Sequence, residues 1–239
     1  MKRSPALLLF LALFTPVAAR ADLTLVQQVE GGGPITQVTM KIKGDKVRMD
    51  AGPSVSSVMD IKTGEALSIM HEQKIVMRMS AAQAKAATAA MMPAITGEAS
   101  QPAAKPKVTA TGKKETINGY EAEEYVAESP GYKASYWIAK KYPQADAILK
   151  QLQATASAAA SLGPMGMPDV RDLPGLPIRT NVSTSGMQVV STLSAAKQDP
   201  LSDSDFAVPT GYQEMKMPDV EALLGGKPGA AAPTPSPKK

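Results

Sequence analysis

The chain holds one histidine, no cysteine and 14 methionines, of which 13 remain once the initiator is set aside. These residues decide what chemistry it can attempt. His71 closes a strand-like run on the face shared by Leu67 and Ile69, next to a Glu72-Gln73 turn. A general base or a metal ligand works with partners, and without a second histidine or a thiol His71 reads as an exposed strand-end residue. Glu121, Glu123 and Glu124 match in type the paired carboxylates of glycoside hydrolysis. Glu121 and Glu123 share one strand face, however, and are expected to point to water beside Lys133. Asp199, Ser202, Asp203 and Asp205 offer oxygen ligands but lack the glycine and distal glutamate of a calcium loop, so a hydrogen-bonded turn is expected there. No catalytic motif emerges. The residues point to binding, not to an enzyme, and no cofactor is expected.

Methionine is the unusual ingredient, and it recurs as Met77-x-Met79, Met165-x-Met167 and Met215-x-Met217. Thioethers are soft ligands that suit Cu(I). They also make deformable apolar surface for irregular cores and varied ligands. Met77 and Met79 fit an inward strand stripe, which favours packing; the loop pair Met165 and Met167 is the better candidate for a metal.

The elements that must position these groups start with an antiparallel meander. From Asp22 to Ser80 the pattern is period two, with turn residues at 31–34, 44–45, 52–53, 62–65 and 72–73, which predicts about six short strands. Val38, Met40 and Ile42 alternate with polar neighbours, as do Val47 and Met49, leaving one face apolar and one wet. Ile75, Met77 and Met79 are expected on one side of their strand, as Leu67 and Ile69 are on its partner. Ser80 to Gln83 has capping-box spacing and predicts a helix start, followed by a flexible connection over 93–107. Asn118-Gly119 between two strand-like runs is a hairpin signal, and a third strand carries Trp137, the only tryptophan. Pro143 opens an amphipathic helix with Ile148, Leu149, Leu152, Ala156 and Ala159 on one stripe. This strand-to-helix corner is the expected centre of the core.

Residues 163–177 join loop chemistry to core side chains, among them Met165, Met167, Leu173 and Leu176. They are expected to form a cover over an apolar groove. Strands at 178–184 and 187–195 follow, then a short helix at 218–225 and a disordered tail over 225–239.

Lys2 and Arg3, an apolar block from Ala6 to Phe14 and the small-x-small pattern Ala19-Arg20-Ala21 read as a signal peptide, cleaved after Ala21. A periplasmic or secreted protein is expected. Removing those residues subtracts three bases from 26 and leaves 23 against 22 acids, so a nucleic-acid partner is not indicated. No later stretch approaches the roughly 20 apolar residues of a membrane span. With no cysteine, neither a disulfide nor a lipid anchor on one can form.

This order of elements, with Tyr136-Trp137-Ile138-Ala139 and the closing strand Ser204 to Tyr212 containing Phe-x-Val-Pro-x-Gly-Tyr, resembles a bacterial family called domain of unknown function four-four-one-two. That family is similar in turn to the LolA/LolB-like lipoprotein carriers. The resemblance implies an open antiparallel half-barrel wrapped around helices, with an apolar concave face.

The resulting expectation is a single mainly β (α+β) domain over 22–224: an open antiparallel half-barrel with one long helix across its concave face and one or two short helices. Its expected function is to bind or carry a lipid or lipoprotein acyl chain through Leu67, Ile69, Met77, Met79, Trp137, Leu149, Leu152, Met165, Met167, Leu173 and Leu176. The alternatives are a Met-rich copper-binding protein and an envelope scaffold that binds another protein.

Overall fold

A computed structural model describes residues 22–216 other than 32, 85, 87–106, 130–131, 160–172 and 185–186. The first wing is the expected six-strand meander: β1 (Leu23–Glu30), β2 (Gln37–Lys43), β3 (Lys46–Ala51), β4 (Val55–Asp60), β5 (Ala66–Met70) and β6 (Ile75–Met79). The second wing comprises β7 (Val108–Ile117), β8 (Tyr120–Ser129), β9 (Tyr132–Ala139), β10 (Leu176–Thr184) and β11 (Met187–Lys197), with the helix α1 (Ala145–Ala159) between β9 and β10. A 3₁₀ turn (Asp203–Phe206) precedes β12 (Gln213–Lys216).

All twelve strands form one open sheet in the order β12-β6-β5-β4-β3-β2-β1-β11-β10-β9-β8-β7. The two meanders join along one seam. At that seam β1 runs antiparallel to β11, with Leu25 opposite Ala196 and Gln28 opposite Thr192. Gly31 ends β1 with φ of +78°, and a Cβ there would lie 2.0 Å from the carbonyl oxygen of Gln188 on β11. Only glycine permits that approach.

Local chemistry explains the turns and strand ends. Asn118 and Gly119 both have positive φ, 50° and 83°, as a two-residue primed hairpin turn requires. The Asn118 amide then donates 2.8 Å to the carbonyl of Leu193, which ties the hairpin tip back to β11. Ser80 and Gln83 form the predicted reciprocal cap, Ser80 N–H to Gln83 Oε1 at 3.0 Å and Gln83 N–H to Ser80 Oγ at 3.3 Å. The long helix starts at Ala145, two residues beyond Pro143. β10 begins at Leu176, inside the stretch expected to be loop, and a register shift between Pro177 and Arg179 accommodates a residue with no N–H to donate.

The largest apolar cluster joins Leu23, Leu25, Ile42 and Val47 of the first wing to Ile117, Ala139, Leu176 and Leu193 of the second, with Ile148 of α1. Trp137, Leu149 and Leu152 pack against it half-buried, so the strand-to-helix corner is core as expected. The closing segment differs from expectation. Residues 203–206 form a 3₁₀ turn held by a capping box between Ser202 and Asp205, and the strand that follows pairs parallel with β6. The signal segment, the connection apart from Lys107, Met165, Met167, Met217, the helix at 218–225 and the tail lie outside the described residues.

Candidate functional site

Residues paired across neighbouring strands share a sheet face, so the first wing can be read row by row. One row runs Met215-Met77-Ser68-Ser57-Met49-Met40-Leu25. The next runs Met79-Ala66-Met59-Val47-Ile42-Leu23, and the row on the other side runs Ile75-Met70-Val55-Ala51-Val38. These three rows make one largely apolar face, broken in its middle row by Ser57 and Ser68. Seven of its side chains are thioethers. Leu23, Leu25, Ile42 and Val47 are buried in the main core, whereas Met49 is 38%, Val55 41% and Met215 51% exposed. The face is therefore packed at the seam and open towards β12.

Leu67 and Ile69 lie on the opposite face. Ile69 pairs with Val76 and Leu67 with Arg78, so Met77 and Met79 point away from both. The expected grouping of these four residues is corrected by the register. A four-residue turn, residues 71–74 with Lys74 at φ of 53°, sets odd positions of β5 against even positions of β6. Ile69, Val76 and Val58 pack instead with Phe206, with Leu67, Leu201 and Tyr212 at the margin. Leu173 is buried with Tyr136 and Ile138 in a third cluster, while Leu176, Trp137, Leu149 and Leu152 belong to the main core. The nine expected binding residues that are described thus divide among separate surroundings, and Met77 and Met79 alone of them lie on the open face.

His71 is not a free strand-end residue. Its Nε2 is 2.7 Å from Ser56 Oγ and its Nδ1 2.8 Å from the Tyr212 hydroxyl. Ser56, 2% exposed, has one proton, which it donates to Asp50 Oδ1. Arg48 Nη2 donates to Ser56 Oγ at 3.0 Å, and Arg48 Nε pairs with the same Asp50 oxygen at 2.7 Å. His71 must therefore donate from Nε2 to Ser56, and its Nδ1 shares a second hydrogen bond with the Tyr212 hydroxyl. A serine, a histidine and an aspartate are together, but in the wrong order for acyl transfer, which needs the base to take the serine proton and the carboxylate to orient the base. Here the carboxylate takes that proton. The cluster fastens residues 201–212 to the sheet, aided by Lys41 with Asp205 at 2.7 Å, Lys43 with Asp203 at 2.8 Å and Arg48 Nη1 donating to the carbonyl of Asp205. The side-chain hydrogen bond from Lys41 holds the Asp205 carboxyl below its ordinary range, seconded by the Ser202 backbone N–H. Sequence offered one trace of this arrangement, the Phe-x-Val-Pro-x-Gly-Tyr motif that ends in Tyr212.

The acids of β8 also have partners. Glu123 binds Lys140 at 2.8 Å, which lowers its pKa, while Lys133 pairs with Glu128 at 2.7 Å and raises its own. Glu121 approaches Lys114 at 3.9 Å. A shallow cavity of about 350 Å³ lies where α1 begins, between Tyr120, Tyr142, Gln144, Lys197 and Asp199. Its two phenol rings lie 4.6 Å apart, and burial, followed by the charge of Tyr120, pushes the Tyr142 hydroxyl up.

Residues 23–212 match the family described as Domain of unknown function (DUF4412), and the chain belongs to that family. No curated protein matches it. Among solved structures it is similar to PNGF-II in the P21 crystal form, with TM-score 0.38 and 12% identity over 86% of this chain and 33% of that one. The C2 form gives TM-score 0.37 and 13% identity over 85% and 32%. The chain spans about a third of PNGF-II, and likeness at this level carries no argument.

No helix among the described residues is long and apolar enough to cross a membrane. They contain no cluster of three histidine, cysteine or acidic side chains placed to hold a metal.

Proposed function

We propose that the protein is a periplasmic binding or carrier protein for an apolar or amphipathic ligand, such as a lipid or a lipoprotein acyl chain, in the manner of the LolA/LolB-like carriers. One observation supports this above the rest: the methionine-rich face of β2–β6 and β12, which keeps Met49, Val55 and Met215 partly exposed. Isolated apolar residues at a surface are ordinary, but a contiguous patch is a feature of binding surfaces. Flexible thioether side chains adapt to ligands of varied shape.

On this reading α1 lies across the concave side of the sheet. The leader 1–21 delivers the protein to the envelope, and binding, with no chemical step, is the activity. Mass spectrometry under native conditions tests the proposal on the protein purified from the periplasm. A retained lipid supports the carrier. A protein partner retained in its place turns the reading to an envelope scaffold.

A further inference from the structure

The β12–β6 pairing brings together thioethers that are far apart in sequence, and we propose that Met77, Met79 and Met215 form a binding site for a soft monovalent cation, Cu(I) or Ag(I). Met215 is the direct cross-strand partner of Met77, and Met79 follows on the same face of β6. The first pair is separated by the interstrand spacing of about 4.8 Å and the second by two residues of rise, about 7 Å. Met70 lies diagonally from Met77 across β5. Opposite Met77 and Met79 stand Ser68 and Ala66, two small side chains that leave room above the sheet. Long, unbranched methionine side chains can lean into that room from three sides.

The chemistry selects the ion. Thioether sulfur is neutral and soft, so it suits Cu(I) and discriminates against the hard divalent cations that seek oxygen. The charged neighbours Arg78 and Glu214 belong to the other face and are engaged with one another at 2.8 Å. Among the described residues paired in these rows, the site presents sulfur with no carboxylate beside it. The edge position also leaves it open, with Met215 half-exposed. This inference stands on the strand register and does not depend on the carrier reading.

The test uses the full mature chain, titrated with silver nitrate in chloride-free buffer and followed through the methionine methyl resonances. One equivalent of Ag(I) should shift the Met77, Met79 and Met215 methyls first. Competition with a chromophoric Cu(I) chelator should show affinity falling by at least about tenfold in a Met77→Leu, Met215→Leu double variant, as loss of metal-site partners generally does. Leucine retains volume and apolarity, so the unfolding midpoint of that variant in denaturant should stay close to that of the unaltered chain. A Met40→Leu, Met49→Leu control at the other end of the row should bind Ag(I) as the unaltered chain does. Equal shifts at all methionine methyls, undiminished Cu(I) affinity in the double variant, or no binding by the unaltered chain would each overturn the proposal.

Discussion

Ser56 uses its single proton and both its lone pairs, towards Asp50, Arg48 and His71, and that saturation makes His71 Nε2 a donor. Ser56→Ala should leave His71 Nε2–H without an acceptor in a buried place and cost about 1 to 3 kcal/mol of stability, measured by denaturant unfolding. Asp205 supplies a pH test. Its folded pKa lies below the ordinary 3.8 because Lys41 and the Ser202 N–H favour the charged form. Its contribution is therefore fully present above the unfolded value and is lost as pH falls through the folded one. Melting temperature followed from pH 3.8 downward should fall less steeply for Asp205→Asn than for the unaltered protein, with the variant less stable at neutral pH. An identical slope would show that Asp205 has no part in the acid sensitivity of the fold. At this scale the sequence is least informative: His71 is visible, but Arg48, Asp50 and Ser56 have no spacing that announces a cluster, because the sheet register assembles it.

The elements themselves are largely legible. Asn118-Gly119 places the hairpin, the turn residues of 31–73 mark off six strands, and β9 carries Trp137 as expected. What period-two patterning cannot contain is the phase between neighbouring strands. The stripes of β5 and β6 are each evident within their own strand, yet the 71–74 turn sets them in opposite phase, so Leu67 and Ile69 part from Met77 and Met79. β12 is illegible, since a four-residue edge strand joined in parallel draws its stability from β6 and not from its own sequence. Two substitutions test the elements that patterning does reveal. Trp137→Ala, at a half-buried position beside the main core, should cost about 3 kcal/mol, the lower end for a large aromatic. Gly31→Ala should cost more than about 2 kcal/mol, because its Cβ would meet the Gln188 carbonyl in a left-handed backbone conformation. If Gly31→Ala unfolds at the same denaturant concentration as the unaltered protein, β1 and β11 are not closely joined at that end.

Over the whole molecule, two antiparallel meanders meet at β1 and β11, and residues 198–212 return across the first wing to add β12 at its edge. The polar cluster and Phe206 close one face of that wing. The other face is packed at the seam by the main core and carries methionines outward to the edge. Fold and face follow from alternating residues, while the ligand does not, because a methionine-lined surface specifies apolarity without specifying shape. The central claim is that this outer face receives an apolar chain. Its most direct measurement is the fluorescence titration of a fatty acyl probe into the protein and into a Met49→Ser, Val55→Ser variant, with unfolding followed in parallel. Both positions are partly exposed, so the fold should survive the change. Saturable binding is expected of the unaltered protein, with a clear loss of affinity in the variant at nearly unchanged stability. Binding that is undiminished in the variant, or absent from both proteins, would contradict the claim.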